Sequence, residues 1–264
     1  MKEISIVQNF ICTMDERFEV LKDSIKSLAN TFSDSEFIIN YNSKVNLDKV
    51  YSVYKDNVKN LKFYNNLEPE WANVTLALSN EAQTPYLMYL CEDMVVNSTK
   101  DKTIACVQEY IDGDFDYMLL CKLHKYLEPK YIKGHIPPTH EFLHSQESPG
   151  YKKLNEGYSY LGKDAPHKRL SIDALYKTEW WKERVAEFIQ NGHKCTHDIP
   201  IRDVRKPNFY EGYYDFYNGM YRFADMRCYI PDEVIILEIE NIKQNNSQWR
   251  PDSDLLETRA QLKK

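Results

Sequence analysis

Glycine is missing from the part of the chain where nucleotide folds most often use it. All eight glycines lie at or after Gly113, so the N-terminal 112 residues contain neither G-x-G-x-x-G nor G-x-x-x-x-G-K-[ST]. Both motifs work by bringing backbone N–H groups against phosphate oxygens. Their absence excludes a Rossmann dehydrogenase and a P-loop NTPase, and it requires any diphosphate bound by this half to be met by side chains or by a metal. The six cysteines (12, 91, 106, 121, 195 and 228) contain no C-x-x-C pair. Neither a zinc ribbon nor a disulfide framework is indicated, and reduced, buried thiols are expected.

An excess of positive charge is also lacking. With 34 Lys and Arg against 40 Asp and Glu, the net charge is −6, which argues against a broad electrostatic grip on nucleic acid. There is no apolar run of about 18 residues, and Met1-Lys2-Glu3 leads directly into a strand-like segment in place of a signal core. The expectation is a protein with no transmembrane segment, acting in the cytoplasm.

At 264 residues and 42% hydrophobic, the chain can bury a sizeable core. Residues 4–11 read as a buried strand, followed by Thr13 and Glu16 in capping-box spacing and an apolar helical face at Phe18, Leu21, Ile25 and Leu28. Residues 36–41 form a second strand pattern, Leu47, Val50, Tyr54 and Val58 a second helical stripe, and residues 61–64 a third strand. Residues 71–82 are a helix candidate. Residues 85–96 read as one further strand, whose centre at 86–90 is apolar on both faces, as in the interior of a parallel sheet. This alternation predicts an α/β fold with an open, mainly parallel sheet flanked by helices.

Strands are also expected over 115–123, 171–177 and 233–239, and helices over 179–191 and 209–223. Residues 124–169 read as one long polar loop that holds five of the seven histidines. We expect a single domain over residues 1–240, divided into a ligand half (1–96) and a second half (97–240). Residues 241–264 form a polar tail or docking helix.

Ligands of open α/β sheets sit beyond the carboxyl ends of the strands. Here those ends carry Cys12-Thr13, Asn40-Tyr41-Asn42-Ser43 and Cys91-Glu92-Asp93-Met94. Ala82, Tyr86 and Cys91 have the spacing of an A-x-G-x-Y approach to an acidic strand end. On these residues the chain resembles the GT-A glycosyltransferases of the family 2 type, well over residues 4–96 and loosely beyond.

The resemblance implies a nucleotide-diphosphate sugar as donor and a carbohydrate or other hydroxyl as acceptor. It implies Mn²⁺ or Mg²⁺ held by Asp93 and Glu92, with His197 as a further ligand. Cys91 replaces the first Asp of the family's D-x-D and Met94 a third acid. Thr13 and Arg17 would lie near the diphosphate or base, and Asn40 and Asn42 near the nucleobase and ribose. Asn in place of Asp at position 40 keeps hydrogen-bonding capacity but loses charge.

An inverting transfer needs a carboxylate to take the acceptor proton. The candidates are Glu211, which opens an aromatic segment, then Asp198 and Asp203. A rival pattern is His140-Glu141-Phe142-Leu143-His144, an H-E-x-x-H that puts two His on one helical face around zinc. Pro138 and Pro149 leave that helix only about two turns, and the only third ligands to nominate are Glu156 and Glu179. A zinc metallohydrolase and a non-catalytic GT-A-like binding module are the alternatives to sugar transfer.

Overall fold

The computed structural model describes residues 1–10, 12, 15–68, 70–120, 150–162, 174–190 and 226–238. Up to residue 89, strand and helix alternate: β1 (Ile4–Phe10), α1 (Asp15–Thr31), β2 (Glu36–Tyr41), α2 (Leu47–Asn57), β3 (Asn60–Tyr64), α3 (Trp71–Glu81) and β4 (Tyr86–Tyr89). Then come β5 (Met94–Val96), α4 (Lys100–Asp112), β6 (Tyr117–Leu119), β7 (Lys152–Lys153), β8 (Gly157–Leu161), β9 (Ala174–Lys177), α5 (Thr178–Gln190), β10 (Arg227–Pro231) and β11 (Ile236–Glu238).

Among the described residues, nine strands form one sheet in the order β3-β2-β1-β4-β9-β6-β10-β8-β7. The four N-terminal strands are mutually parallel. Strand β9 inserts antiparallel between β4 and β6, and β8 runs antiparallel to β10 and β7. The other seven strands share one direction, so the sheet is mainly parallel and both halves of the chain build it.

The side-chain alternation of the strands divides the core in two. On one face Ile4, Ile6, Phe10, Ile39, Tyr41 and Met88 pack against Leu21, Ile25 and Leu28 of α1, Val50 and Tyr54 of α2, and Cys106 and Tyr110 of α4. On the other, Val7, Ile38, Leu87 and Tyr89 meet Trp71, Val74 and Leu78 of α3 and Trp181, Val185 and Phe188 of α5. Trp181 ties the second layer together. Its ring stacks on Tyr89 at 5.1 Å and meets Tyr176 at 4.6 Å, while its indole N–H donates to Ser79 Oγ at 2.9 Å.

Three expectations are corrected. Residues 85–96 are two strands, because the chain leaves the sheet at Cys91-Glu92-Asp93 and Met94–Val96 then pairs antiparallel with β11 in a separate ribbon. A buried carboxylate is costly without a counter-charge, and the break brings Glu92 to Arg17. The polar stretch 124–169 is not all loop: β7 and β8 form a hairpin that extends the sheet edge. Helix α4 was not expected. It starts at Thr99, whose hydroxyl accepts from Lys102 N–H at 3.3 Å, and it buries Thr103, Cys106, Val107 and Tyr110.

Trp181→Ala should cost about 3–5 kcal/mol, as for a large aromatic removed from a packed core, and shift the urea midpoint accordingly; a loss below about 1 kcal/mol would show that the layer repacks. Burial pushes the Cys106 thiol up to about 11 and raises Cys228 further. In alkylation at about pH 8 followed by peptide mass spectrometry, both should stay unlabelled in native protein while half-buried Cys91 reacts first of the four described cysteines. Equal labelling of Cys106 and Cys91 would contradict this packing.

Candidate active site at the strand ends

The carboxyl ends of β1, β2, β3 and β4 lie side by side, and the first turn of α1 faces them. Residues 91–93, between β4 and β5, bring Glu92 and Asp93 to this end, each only 6% exposed. Arg17, in the first turns of α1, reaches across 75 positions of sequence to Glu92, and its guanidinium Nη2 pairs with Glu92 Oε1. Glu92 is the more buried partner at 8% side-chain exposure against 23% for Arg17. The pair neutralises one of two adjacent carboxylates that would otherwise repel each other at low dielectric.

Buried polar groups fix the acidic turn from both sides. Gln8, in the middle of β1, donates from Nε2 to the Cys91 carbonyl at 3.0 Å and accepts at Oε1 from the Tyr54 hydroxyl at 2.8 Å. After the turn, Ser24 Oγ donates to the Met94 carbonyl at 2.5 Å, and Val96 N–H donates to Ser27 Oγ at 2.9 Å. Helix α1 therefore sets both the arginine and the backbone beyond the acids.

The end of β2 is tied to the loop after β3. Asn42 donates from Nδ2 to the Glu68 carbonyl at 2.8 Å, and Asn65 Nδ2 lies 2.6 and 2.9 Å from the carbonyls of Tyr41 and Ser43. Asn40, fully buried, bonds to Asn9 and to the backbone of Asn66. Ser43 Oγ accepts from Val45 N–H at 3.0 Å, and Asn46 takes a left-handed φ of 58°, a conformation Asn tolerates better than most side chains. The Tyr41 hydroxyl lies against the carbonyls of Cys12 and Val45. Burial first, with nearby Cys12 and Glu92 adding to it, pushes this phenol up to about 12. It remains a neutral donor at physiological pH.

Of the residues singled out from sequence, Arg17, Asn40, Asn42, Glu92 and Asp93 converge on this strand end. Thr13, His140, Glu141, His144, His197, Asp198, Asp203 and Glu211 lie outside the described residues. Glu156 and Glu179 stand in ion pairs with Lys102 and Lys182. Sequence reasoning missed Gln8 and Ser24, while Asn65 opens the stretch 65–71 that the strand-end rule singles out. For Gln8 the signal is present, since Gln8-Asn9 puts two large polar side chains in a row between Val7 and Phe10 of a buried strand.

Among the described residues no group of three or more His, Cys, Asp and Glu side chains gathers around one point. Two hard oxygen donors still fit one mode of binding. Mg²⁺ commonly takes one or two carboxylates and completes its shell with water and substrate phosphates. Among the described residues two cavities lie elsewhere, one of about 360 Å³ beside Lys26 and Lys59 and one of about 630 Å³ beside Glu109 and Arg227. Neither is lined by Arg17, Glu92 or Asp93. The strand-end site rests on its side chains, not on the size of a hollow.

No protein-family model matches the sequence, and no curated protein matches it at a significant level. Solved structures do share its architecture. TarS of S. aureus aligns with a TM-score of 0.53 at 13% identity, over 91% of this chain and 38% of TarS. Its 1–349 fragment aligns with a TM-score of 0.52 at 12% identity, over 91% of this chain and 62% of the fragment. The same fragment in complex with UDP-GlcNAc aligns with a TM-score of 0.48 at 14% identity, over 89% of this chain and 58% of the fragment. The chain thus spans less than two thirds of the TarS structures it matches. At this sequence distance the likeness concerns the fold alone, and the fold is GT-A-like.

Proposed function

We propose that this chain is a glycosyltransferase acting in the cytoplasm, moving a sugar from a nucleotide-diphosphate donor to an acceptor hydroxyl with inversion. The observation that carries the reading is the buried Glu92-Asp93 turn meeting Arg17 at the strand ends of a GT-A-like sheet. TarS, whose fragment shares the fold, has been crystallised with UDP-GlcNAc, which supports a nucleotide sugar as the donor class.

In this reading residues 1–96 hold the donor and residues 97–240 the acceptor. Arg17 and Thr13 face the diphosphate, whose charge rises as it leaves, and a fixed guanidinium stabilises that developing charge. Asn42 stands near the nucleobase and ribose. Asp93 and Glu92, with His197, would hold Mn²⁺ or Mg²⁺, which when bound supplies positive charge to the leaving diphosphate. A carboxylate of the second half, Glu211 before Asp198 and Asp203, takes the proton of the acceptor hydroxyl. The acceptor oxygen then forms its bond to the anomeric carbon as the bond to the β-phosphate oxygen breaks, and the nucleoside diphosphate leaves with that electron pair.

A thermal-shift panel of nucleoside diphosphates and nucleotide sugars, each with Mn²⁺, Mg²⁺ or excess EDTA, tests the donor site. A true donor at about 100 times its Kd should stabilise the protein by about 2.7 kcal/mol. The shift should vanish in Asp93→Asn. No shift with any nucleotide would sink the proposal, and binding without transfer to any acceptor would favour the binding-module alternative.

Arg17→Ala should lower stability by roughly 1–3 kcal/mol, because Glu92 stays buried without its counter-charge. The double variant Arg17→Ala/Glu92→Gln should recover most of that stability and still bind the diphosphate poorly, as read by denaturation and calorimetry. Full donor affinity in the double variant would remove Arg17 from the site.

A further inference from the structure

Asn40 sits where the resemblance to GT-A enzymes places a group that contacts the ligand, yet its amide is occupied by the protein. It is fully buried. Its Nδ2 donates to Asn9 Oδ1 at 3.1 Å and to the Asn66 carbonyl at 3.1 Å, and its Oδ1 accepts the Asn66 backbone N–H at 2.7 Å. The orientation of the amide is forced, because the Asn66 N–H can only donate and the Asn66 carbonyl can only accept. Asn9 and Asn40 are direct cross-strand partners, and Asn9 Nδ2 continues the chain to Thr75 Oγ1 of α3 at 3.4 Å. Both amide hydrogens of Asn40 are thus engaged, and no ligand reaches them unless the loop after β3 moves.

We infer that Asn40 is a positioning residue: its side chain fixes residues 65–68 as one wall of the nucleotide site and does not itself bind the nucleotide. The inference rests on the strand-end site proposed above and specifies how that site is held. The position requires an amide, because the side chain must donate twice and accept once against fixed backbone groups. Aspartate has nearly the same shape and keeps the acceptor for Asn66 N–H. It replaces both donors with an anionic oxygen facing the Asn66 carbonyl and Asn9 Oδ1. Such a carboxylate is destabilised in its charged form, so its folded-state pKa is raised above its unfolded value. The clamp in Asn40→Asp is then partly restored at low pH, where the protonated acid donates once, and is lost as pH rises through the folded pKa.

The test is hydrogen exchange of the 64–70 segment in the full-length protein, corrected for intrinsic rates, together with UDP affinity in the presence of Mg²⁺. In Asn40→Asp at about pH 8, exchange of the segment should rise roughly tenfold and UDP affinity fall roughly tenfold, as expected for a buried polar contact turned repulsive. Both changes should shrink at about pH 5, whereas Asn40→Leu should show them at either pH and wild type at neither. Unchanged exchange in Asn40→Asp, or unchanged UDP affinity with the segment already loosened, would overturn the inference.

If Asn40→Asp does not fold, Asn65→Ala opens the same loop from its exposed side. It should lower the melting temperature only modestly, for two lost hydrogen bonds, and weaken UDP binding, and full affinity there would count against the inference. Failure of wild type to bind UDP or any nucleotide would count against the proposed function, while the exchange arm still decides whether Asn40 holds the loop.

Discussion

Two neighbouring carboxylates held almost out of water are the constraint around which this end of the molecule is organised. Glu92 and Asp93 are each 6% exposed, and burying like charges together is costly unless an opposite charge and fixed hydrogen bonds accompany them. The guanidinium of Arg17 supplies the charge. It can do so because β1 delivers the chain to the start of α1 directly beside the end of β4. The parallel pairing of β1 with β4, Ile4 against Tyr86 through Val7 against Tyr89, is therefore what brings two residues 75 positions apart into contact.

The same acidic turn explains why the sheet changes character at this point. The chain cannot continue as a central strand through two carboxylates, so it exits, and Met94–Val96 pairs with β11 instead. Space beside β4 is taken by the antiparallel β9, which carries the chain into α5 and its tryptophan layer. On either side of the exit the backbone is held by buried side chains, Gln8 before it and Ser24 after it. Across the sheet the asparagines of β1, β2 and the β3 loop perform the same office for the opposite wall. What results is a polar strand end whose groups are held within the protein itself, and in the proposed reading this is the pre-organisation that electrostatic catalysis uses.

Much of this was legible in the sequence. The first three βα units declare themselves through apolar periodicity, and Glu92, Asp93 and Arg17 stand out as charged residues at strand and helix ends. The rest failed for identifiable reasons. The apolar run Tyr86–Leu90 and the apolar Met94–Val96 flank the acids so closely that periodicity reads them as one strand. Helix α4 buries a stripe at i, i+3, i+4 and i+7, but Thr103 and Cys106 make that stripe weakly apolar. The reversal of β9 leaves no mark in composition, because a strand buried on both faces looks the same in either direction. Pairings such as Arg17 with Glu92, or Asn40 with Asn66, follow from which strands become neighbours, which residue spacing alone does not specify.

The most direct test of the central claim, that this strand end is a nucleotide-sugar site, is release of nucleoside diphosphate from nucleotide sugars, followed by chromatography with and without saccharide acceptors. The account predicts release by the wild-type protein, accelerated by a true acceptor, and its loss in Asp93→Asn at unchanged stability. Equal release by the wild-type and Asp93→Asn proteins, or none with any nucleotide sugar tried, would contradict it.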